Sequence, residues 1–439
     1  MHIIPDRLKR NLAAGSFTRG VLTLTTGTTI AQVIPFLVAP ILSRIYKPED
    51  FGGLALYLSL ASLLSVIATA QYANAVTLPE KDEEAIQVAG LAILFSLGIS
   101  GVVLLIVSGC NAPLTLLLKH PEISIWLYLI PGTTFLTGLS QTLNYWFNRH
   151  RYYADLAKGR VVQSIFTAAA NVIAGFSGFG VAGLILSSFI GQGIATGYLV
   201  WQFWGRDRTL MRRIRPDQMV VILRKYQDFP KFSGPQIFLD NLRNSSVILL
   251  ISSYFNPAIL GYYSFTLKII QTPLSFIGAS VFQVFYQTIA EAYHSKQAIW
   301  PLGKKLLSHL TLISLPPLLI LLMAAPPLFP LFFGPEWTAA GSYAQILAPW
   351  LLIGFIASPL STIPIVLRQQ KAFFFVGLTN NLLLPASVLI SSQITHNISI
   401  VLWAISLIGS LYLIAALIWI RTISIKSDQL QTHGYGANA

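Results

Sequence analysis

The feature that most constrains this chain is a succession of apolar runs, each about 20 residues long and nearly free of charge. A hydrocarbon core about 30 Å thick requires roughly that length of helix. In lipid, only helices and closed barrels satisfy their own backbone groups. The runs fall at residues 20–43, 53–76, 85–108, 123–147, 159–177 and 180–204, then at 232–254, 258–286, 305–326, 341–367, 372–392 and 398–420. Composition agrees: the 439 residues are 54% hydrophobic and 10% charged, against about 25% charged in soluble domains. So few charges cannot cover a water-exposed surface. The prediction is an all-α polytopic membrane protein with about twelve transmembrane helices, in two six-helix lobes around a central cavity.

The longest polar stretch, GRDRTLMRRIRPDQMVVILRKYQDFPK, separates the two groups of runs. It divides the chain into an N-terminal lobe (1–204), a basic cytoplasmic linker (205–231), a C-terminal lobe (232–420) and a cytoplasmic tail (421–439). The 29 basic against 16 acidic residues give a net charge of +13. In a soluble protein that excess would suggest nucleic acid, but here the loops account for it. With a cytoplasmic N-terminus, that side collects Arg7, Lys9, Arg10 and Arg19, then Arg149, Arg151, Lys158 and Arg160, and the whole linker cluster. The opposite side collects Arg44, Lys47 and Lys119. Retention of Lys and Arg on the cytoplasmic face explains the bias, so both termini are placed in the cytoplasm and no nucleic-acid partner is expected. The apolar run after the basic N-terminus is too long for a signal peptide.

An internal repeat shows faintly. YKPEDFG (Tyr46 to Gly52) stands between spans 1 and 2, and FNPAILG (Phe255 to Gly261) between spans 7 and 8. Both place Pro and Gly four apart, as parallel repeats of six spans would. Prolines inside spans, such as Pro35, Pro40, Pro131, Pro273, Pro316 and Pro317, read as packing kinks or as bends around a cavity.

Charged groups inside spans are the sharpest functional clue, since each costs about 2.5–3.5 kcal/mol to insert. In span 7, Gln236, Asp240, Arg243 and Asn244 share one helical face; in span 8, Ser264, Lys268, Gln271 and Ser275 do the same. Arg243 and Lys268 both fall roughly 15–18 Å deep, near the midplane. Asp240 and Arg243 can simply pair on one face, which leaves Lys268 without an acidic partner in any expected span. An anionic ligand would complete the site, with Arg as a planar fork and Lys as a point charge. Asp240 would tether Arg243 when the site is empty, or carry a coupling proton. The first lobe offers Gln32 and five threonines in span 1, Gln71 and Asn74 at the end of span 2, and Gln141, Asn144, Tyr145 and Trp146 in span 4. These could line a hydrophilic cavity for sugars, or the threonine hydroxyls could bond back to their own helix.

Nothing here resembles a catalytic or metal site. The seven histidines are scattered and show no ligand spacing, and no P-loop or nucleophile elbow occurs. Cys110 is the only cysteine, so neither an intramolecular disulfide nor a cysteine metal site is available. No enzyme activity, cofactor or metal is expected.

Three segments carry a family resemblance: RIYKPEDFGGLALYLSLASLLSVIATAQYANAVTLPEKDEEA, then YQDFPKFSGPQIFLDNLRNSSVILLISSYFNPAILGYYSF, then PLFFGPEWTAAGSYAQILAPWLLIGFIASPLS, with its FG-x-x-W element at Phe333, Gly334 and Trp337. In order and spacing they resemble polysaccharide-biosynthesis membrane proteins of the O-antigen flippase type, in the multidrug/oligosaccharidyl-lipid/polysaccharide exporter superfamily. The resemblance implies two lobes that rock between inward-open and outward-open states. It implies an undecaprenyl-pyrophosphate-linked oligosaccharide as cargo, flipped outward across the bacterial cytoplasmic membrane beside a polysaccharide polymerase. Arg243 and Lys268 would then receive the pyrophosphate. One departure stands at the end of span 2, where the resemblance implies an Arg and a Glu and this chain carries Gln71 and Ala73. The competing readings are a drug/cation antiporter of the same superfamily, which would want intramembrane carboxylates, and a membrane-embedded polymerase or glycosyltransferase, which would want catalytic acids.

Overall fold

The computed structural model describes residues 6–118 and 121–433. Lys119 and the side chain of Gln236 lie outside the described residues. The chain is a succession of helices: α1 (Asp6–Ile45), α2 (Pro48–Ile67), α3 (Tyr72–Ala75), α4 (Asp82–Leu118), α5 (Ser124–Leu127), α6 (Ile130–Arg149), α7 (Tyr153–Phe176), α8 (Gly180–Met211), α9 (Pro216–Lys225) and α10 (Gly234–Tyr254). It continues with α11 (Pro257–His294), α12 (Ile299–Phe333), α13 (Thr338–Leu360), α14 (Thr362–Val366), α15 (Gln370–Ile394) and α16 (Ile398–His433). Among the described residues, nine segments are long and apolar enough to cross a membrane. Three further helices of similar length, α6, α7 and α10, are more polar. Large apolar side chains such as Leu105, Leu116, Met323 and Ile394 stand fully outward. A protein in water would bury them; a protein in lipid need not.

The chain forms two compact units, Met1–Ser245 and Ser246–Ala439, divided within α10. The two share part of a packing pattern, though the extensive α1–α7 packing of the first has no equivalent in the second among the described residues. In the first, α4 packs on α6, α2 on α6, α7 on α8, and α8 on both α4 and α6. In the second, α12 packs on α13, α11 on α13, α15 on α16, and α16 on both α12 and α13. The Pro–Gly segments fall at matching places. Pro48 and Pro257 each open a helix after an extended residue, where a missing N–H and a fixed φ cost nothing. Asp50 Oδ2 accepts from Lys47 N at 3.0 Å, and Asn256 Oδ1 accepts from Ile259 N at 2.9 Å. The turns before α7 and α15 match as well. Arg151 and Arg368 both sit at φ 57°, and each next residue donates back five positions, Tyr152 to Phe147 and Gln369 to Pro364, at 2.8 Å.

Unit 1 is centred on Trp146 and Phe147 of α6, packed among Tyr72, Ile86, Leu91, Leu143 and Leu156. In unit 2 Trp337 is fully buried, and its ring lies 4.1 Å from that of Phe265 between centroids. Gly334 makes this possible: its φ of 103° ends α12 and turns the chain sharply, a conformation only glycine adopts readily. The FG-x-x-W element is therefore a helix stop that buries its tryptophan. At the far end of α12, Asp428 of α16 accepts from the N–H groups of Ile299 (2.7 Å) and Trp300 (2.9 Å), and so caps the helix start from another element.

Three expected spans are interrupted: 123–147 between α5 and α6, 341–367 between α13 and α14, and most sharply 53–76. The run 53–76 reads as continuous helix, yet α2 stops at Ile67 and the chain resumes as α3. Ala70 and Gln71 between them adopt φ 45° and 62°, a left-handed conformation costly for residues with a Cβ. Hydropathy does not register such a break, because the residues on both sides remain apolar.

Candidate functional site

The three polar long helices, α6, α7 and α10, all contribute to a cavity of about 780 Å³ in unit 1, the candidate site. From α6 it takes Thr133, Thr137, Ser140, Gln141, Asn144, Tyr145 and Asn148, which recur at three- and four-residue intervals along one face. Helix α7 adds Arg160 and Gln163, α2 adds Ser62 and Ser65, α8 adds Gln192, and the broken end of α2 adds Gln71 and Asn74. Ile237 enters from α10. Among the described residues, Arg160 is the one charged residue in this lining and no carboxylate lines it.

The wall is organised by its own hydrogen bonds. Gln71 Nε2 donates to Val66 O at 2.5 Å, which satisfies a carbonyl that the interrupted α2 leaves open. Gln71 Oε1 accepts from Asn74 Nδ2 at 2.9 Å, while Asn74 Oδ1 is buried without a partner among the described residues. Gln192 Nε2 donates to Thr137 Oγ1 at 2.9 Å, and Asn144 Nδ2 to Ser140 O at 2.7 Å. The Arg160 guanidinium donates to the Thr28 hydroxyl. That hydroxyl in turn donates to Leu24 O at 2.7 Å, so α1 orients the arginine. Five N–H donors on a planar guanidinium leave most of them available to a ligand. The chemistry on offer is many amides and hydroxyls around one cation. Such a surface exchanges hydrogen bonds with sugar hydroxyls and holds an anion at one end.

Gln71, Asn74 and Asn144 thus meet in one cavity. Gln32 faces outward from α1 and is not part of it. Asp240 and Asn244 are exposed on α10, and Arg243 is partly exposed. Arg243 donates to Asn244 Oδ1 from Nε (3.2 Å) and Nη2 (3.0 Å). Lys268 and Gln271 stand exposed on α11 in unit 2, and Lys268 makes no ion pair among the described residues. Trp146, grouped above with the cavity amides, instead belongs to the core. It is 1% exposed, and its Nε1–H donates to Asp207 Oδ2 at 2.9 Å. It falls two helix positions from Asn144, on the opposite side of α6.

Sequence reasoning assigned Arg160 to a basic loop. Helix α7 in fact begins at Tyr153, so Arg160 lies two turns in. A usable signal existed: Arg160 and Gln163, three apart, share a face. Only the structure shows Asp155 buried against Arg206 at 2.6 Å, which brings the helix start inside the protein. Of the span 1 threonines, Thr28 and Thr29 do bond back to their own helix.

Outside the cavity, the acidic first turn of α4 gathers cations. Glu84 holds Lys225 at 2.5 Å and the Tyr226 hydroxyl at 2.8 Å. The Glu84 carboxylate raises the pKa of the Lys225 amine above its ordinary value. Burial and the same carboxylate push the Tyr226 hydroxyl up.

Comparison with known proteins sets this geometry in a family. A transport protein of succinoglycan biosynthesis, ExoT of Rhizobium meliloti, is 24% identical over 338 residues, covering 75% of this chain and 64% of its own length. An inward-facing multidrug resistance MATE family transporter of the MOP superfamily superposes with a TM-score of 0.71 at 14% identity, covering 92% of this chain and 96% of its own. The lipid II flippase MurJ, in an inward closed conformation, gives 0.69 at 13% identity, covering 95% and 93%. The fold is therefore that of multi-pass membrane transporters. Residues 41–342 match the polysaccharide biosynthesis protein family, and the chain belongs to that family.

Proposed function

We propose that this protein flips an undecaprenyl-pyrophosphate-linked oligosaccharide from the cytoplasmic to the outer face of the bacterial cytoplasmic membrane, for surface polysaccharide synthesis such as O-antigen, capsule or exopolysaccharide. Transport runs by alternating access of the two lobes, with both termini in the cytoplasm and a polysaccharide polymerase taking up the product. The observation that carries this reading is the unit 1 cavity, whose described lining has amide and hydroxyl walls, one cation and no carboxylate. The amides take the glycan and Arg160 takes an anionic group of the cargo. Arg243 and Lys268 contribute further contacts to the pyrophosphate, in keeping with their charge and depth.

The competing reading as a cation or drug antiporter draws on the MATE fold. It is disfavoured by the same lining, since an organic cation wants a carboxylate in the wall and would meet Arg160 instead. The test is cellular: delete the gene in its host and follow the sidedness of the lipid-linked glycan. Completed units should accumulate facing the cytoplasm and be relieved by wild type, but not by an Arg160→Ala variant that inserts normally. Normal delivery of those units to the outer face in the deletion strain, with no redundant flippase present, would overturn the reading.

A further inference from the structure

Helix α9 is placed as an interfacial helix would be. It follows α8 after a short turn, and α8 carries outward Trp201 and Trp204 before Arg206 and Arg208. Exposed tryptophans followed by arginines mark where a span leaves the hydrocarbon. From there α9 folds back against α4. Buried Ile222 faces the unit 1 core. Ile214, in the turn, and Met219 pack on Gly90, where a Cβ would come within 3.3 Å and 3.7 Å of them. Gly90 lies within the apolar run of α4, so α9 sits at the level of its first turns rather than out in water.

This position is held firmly. Gln87 clamps the preceding turn, donating to Arg213 O at 2.6 Å and accepting from Arg215 N at 3.0 Å. Tyr72 donates to Leu223 O at 3.1 Å. The side of α9 turned away from Ile222 shows Val220 and Val221 at 56% and 64% exposure, with Leu223 at 37% on its flank and Arg224 four residues from Val220 on the same stripe. Arg212, Arg215 and Arg224 are exposed and form no ion pair among the described residues. An apolar stripe edged by unpaired arginines, at the depth of a span's first turns, matches the boundary between acyl chains and anionic headgroups.

We propose that α9 binds the anionic bilayer surface beside unit 1, with Val220 and Leu223 seated at the edge of the acyl chains and Arg212, Arg215 and Arg224 on lipid phosphates. Charge complementarity selects this occupant over a partner protein. The test places an environment-sensitive fluorophore at Val220→Cys in a Cys110→Ser background. The full-length protein is then reconstituted in nanodiscs of phosphatidylcholine, with or without phosphatidylglycerol. The probe should emit further to the blue, and be quenched by doxyl groups on the lipid chains, only when phosphatidylglycerol is present. The effective attraction should fall by about fivefold for each arginine changed to glutamine. Emission unchanged in both nanodiscs, or equal in both, would overturn the proposal. So would shielding that appears only when a soluble protein fraction is added. The unlabelled arginine variants, scored by phosphatidylglycerol retained through purification, give a second reading that does not depend on the cysteine changes folding.

Discussion

At the scale of single residues, Arg160 and Trp146 show how position within a helix separates two roles. Arg160 has a helical neighbour to hold it and a cavity to face. Replacing it with alanine should lower cargo affinity by about 10- to 100-fold, the worth of one or two charge-assisted hydrogen bonds. The measurement is binding of lipid-linked oligosaccharide to the purified variant, with wild-type thermal stability as the control. Trp146→Ala should act the other way, leaving the cavity lining intact while costing about 3–5 kcal/mol of stability, as buried tryptophans do. A lowered melting temperature in detergent, with cargo affinity preserved in the folded fraction, is the expected result.

At the scale of elements, close approach between helices is set by glycine. A Cβ on Gly27 of α1 would collide with Ala157 of α7. Gly27→Val should therefore separate α1 from α7 at a cost of about 1–3 kcal/mol. Because Thr28 orients Arg160, the same change should weaken cargo binding; a stable variant with unaltered binding would show that α1 does not position the arginine. The break between α2 and α3 is an element-scale feature as well. Gln71 holds a left-handed conformation and also satisfies Val66 O. Gln71→Leu keeps the strain and removes the partner, so it should destabilise by about 1–3 kcal/mol, readable as earlier thermal unfolding.

For the whole molecule, the Pro–Gly segments and the basic loops make the sidedness of the chain testable. It can be tested with single cysteines in a Cys110→Ser background. Gln218→Cys, on α9, should react with a membrane-impermeant maleimide only from the cytoplasmic side, and Lys47→Cys, at the start of α2, only from the outside. Labelling of both from one side would contradict the loop-charge argument.

Much of this protein was legible in its sequence, for a physical reason: a bilayer demands long apolar runs and sorts basic loops to one side, and both demands act on local composition. The membrane class, the helical fold, the approximate spans and the Pro–Gly echo at Pro48 and Pro257 all follow from residues close together along the chain. Gln71, Asn74 and Asn144 were readable as polar residues within apolar runs, but their meeting in one cavity was not. Nor was the helical setting of Arg160, the burial of Trp146 against Asp207, or the docking of α9 on α4. Each of these depends on side chains far apart in sequence satisfying one another's hydrogen bonds. Only the packing of helix on helix decides which polar groups are paired within the wall and which are left to face a ligand.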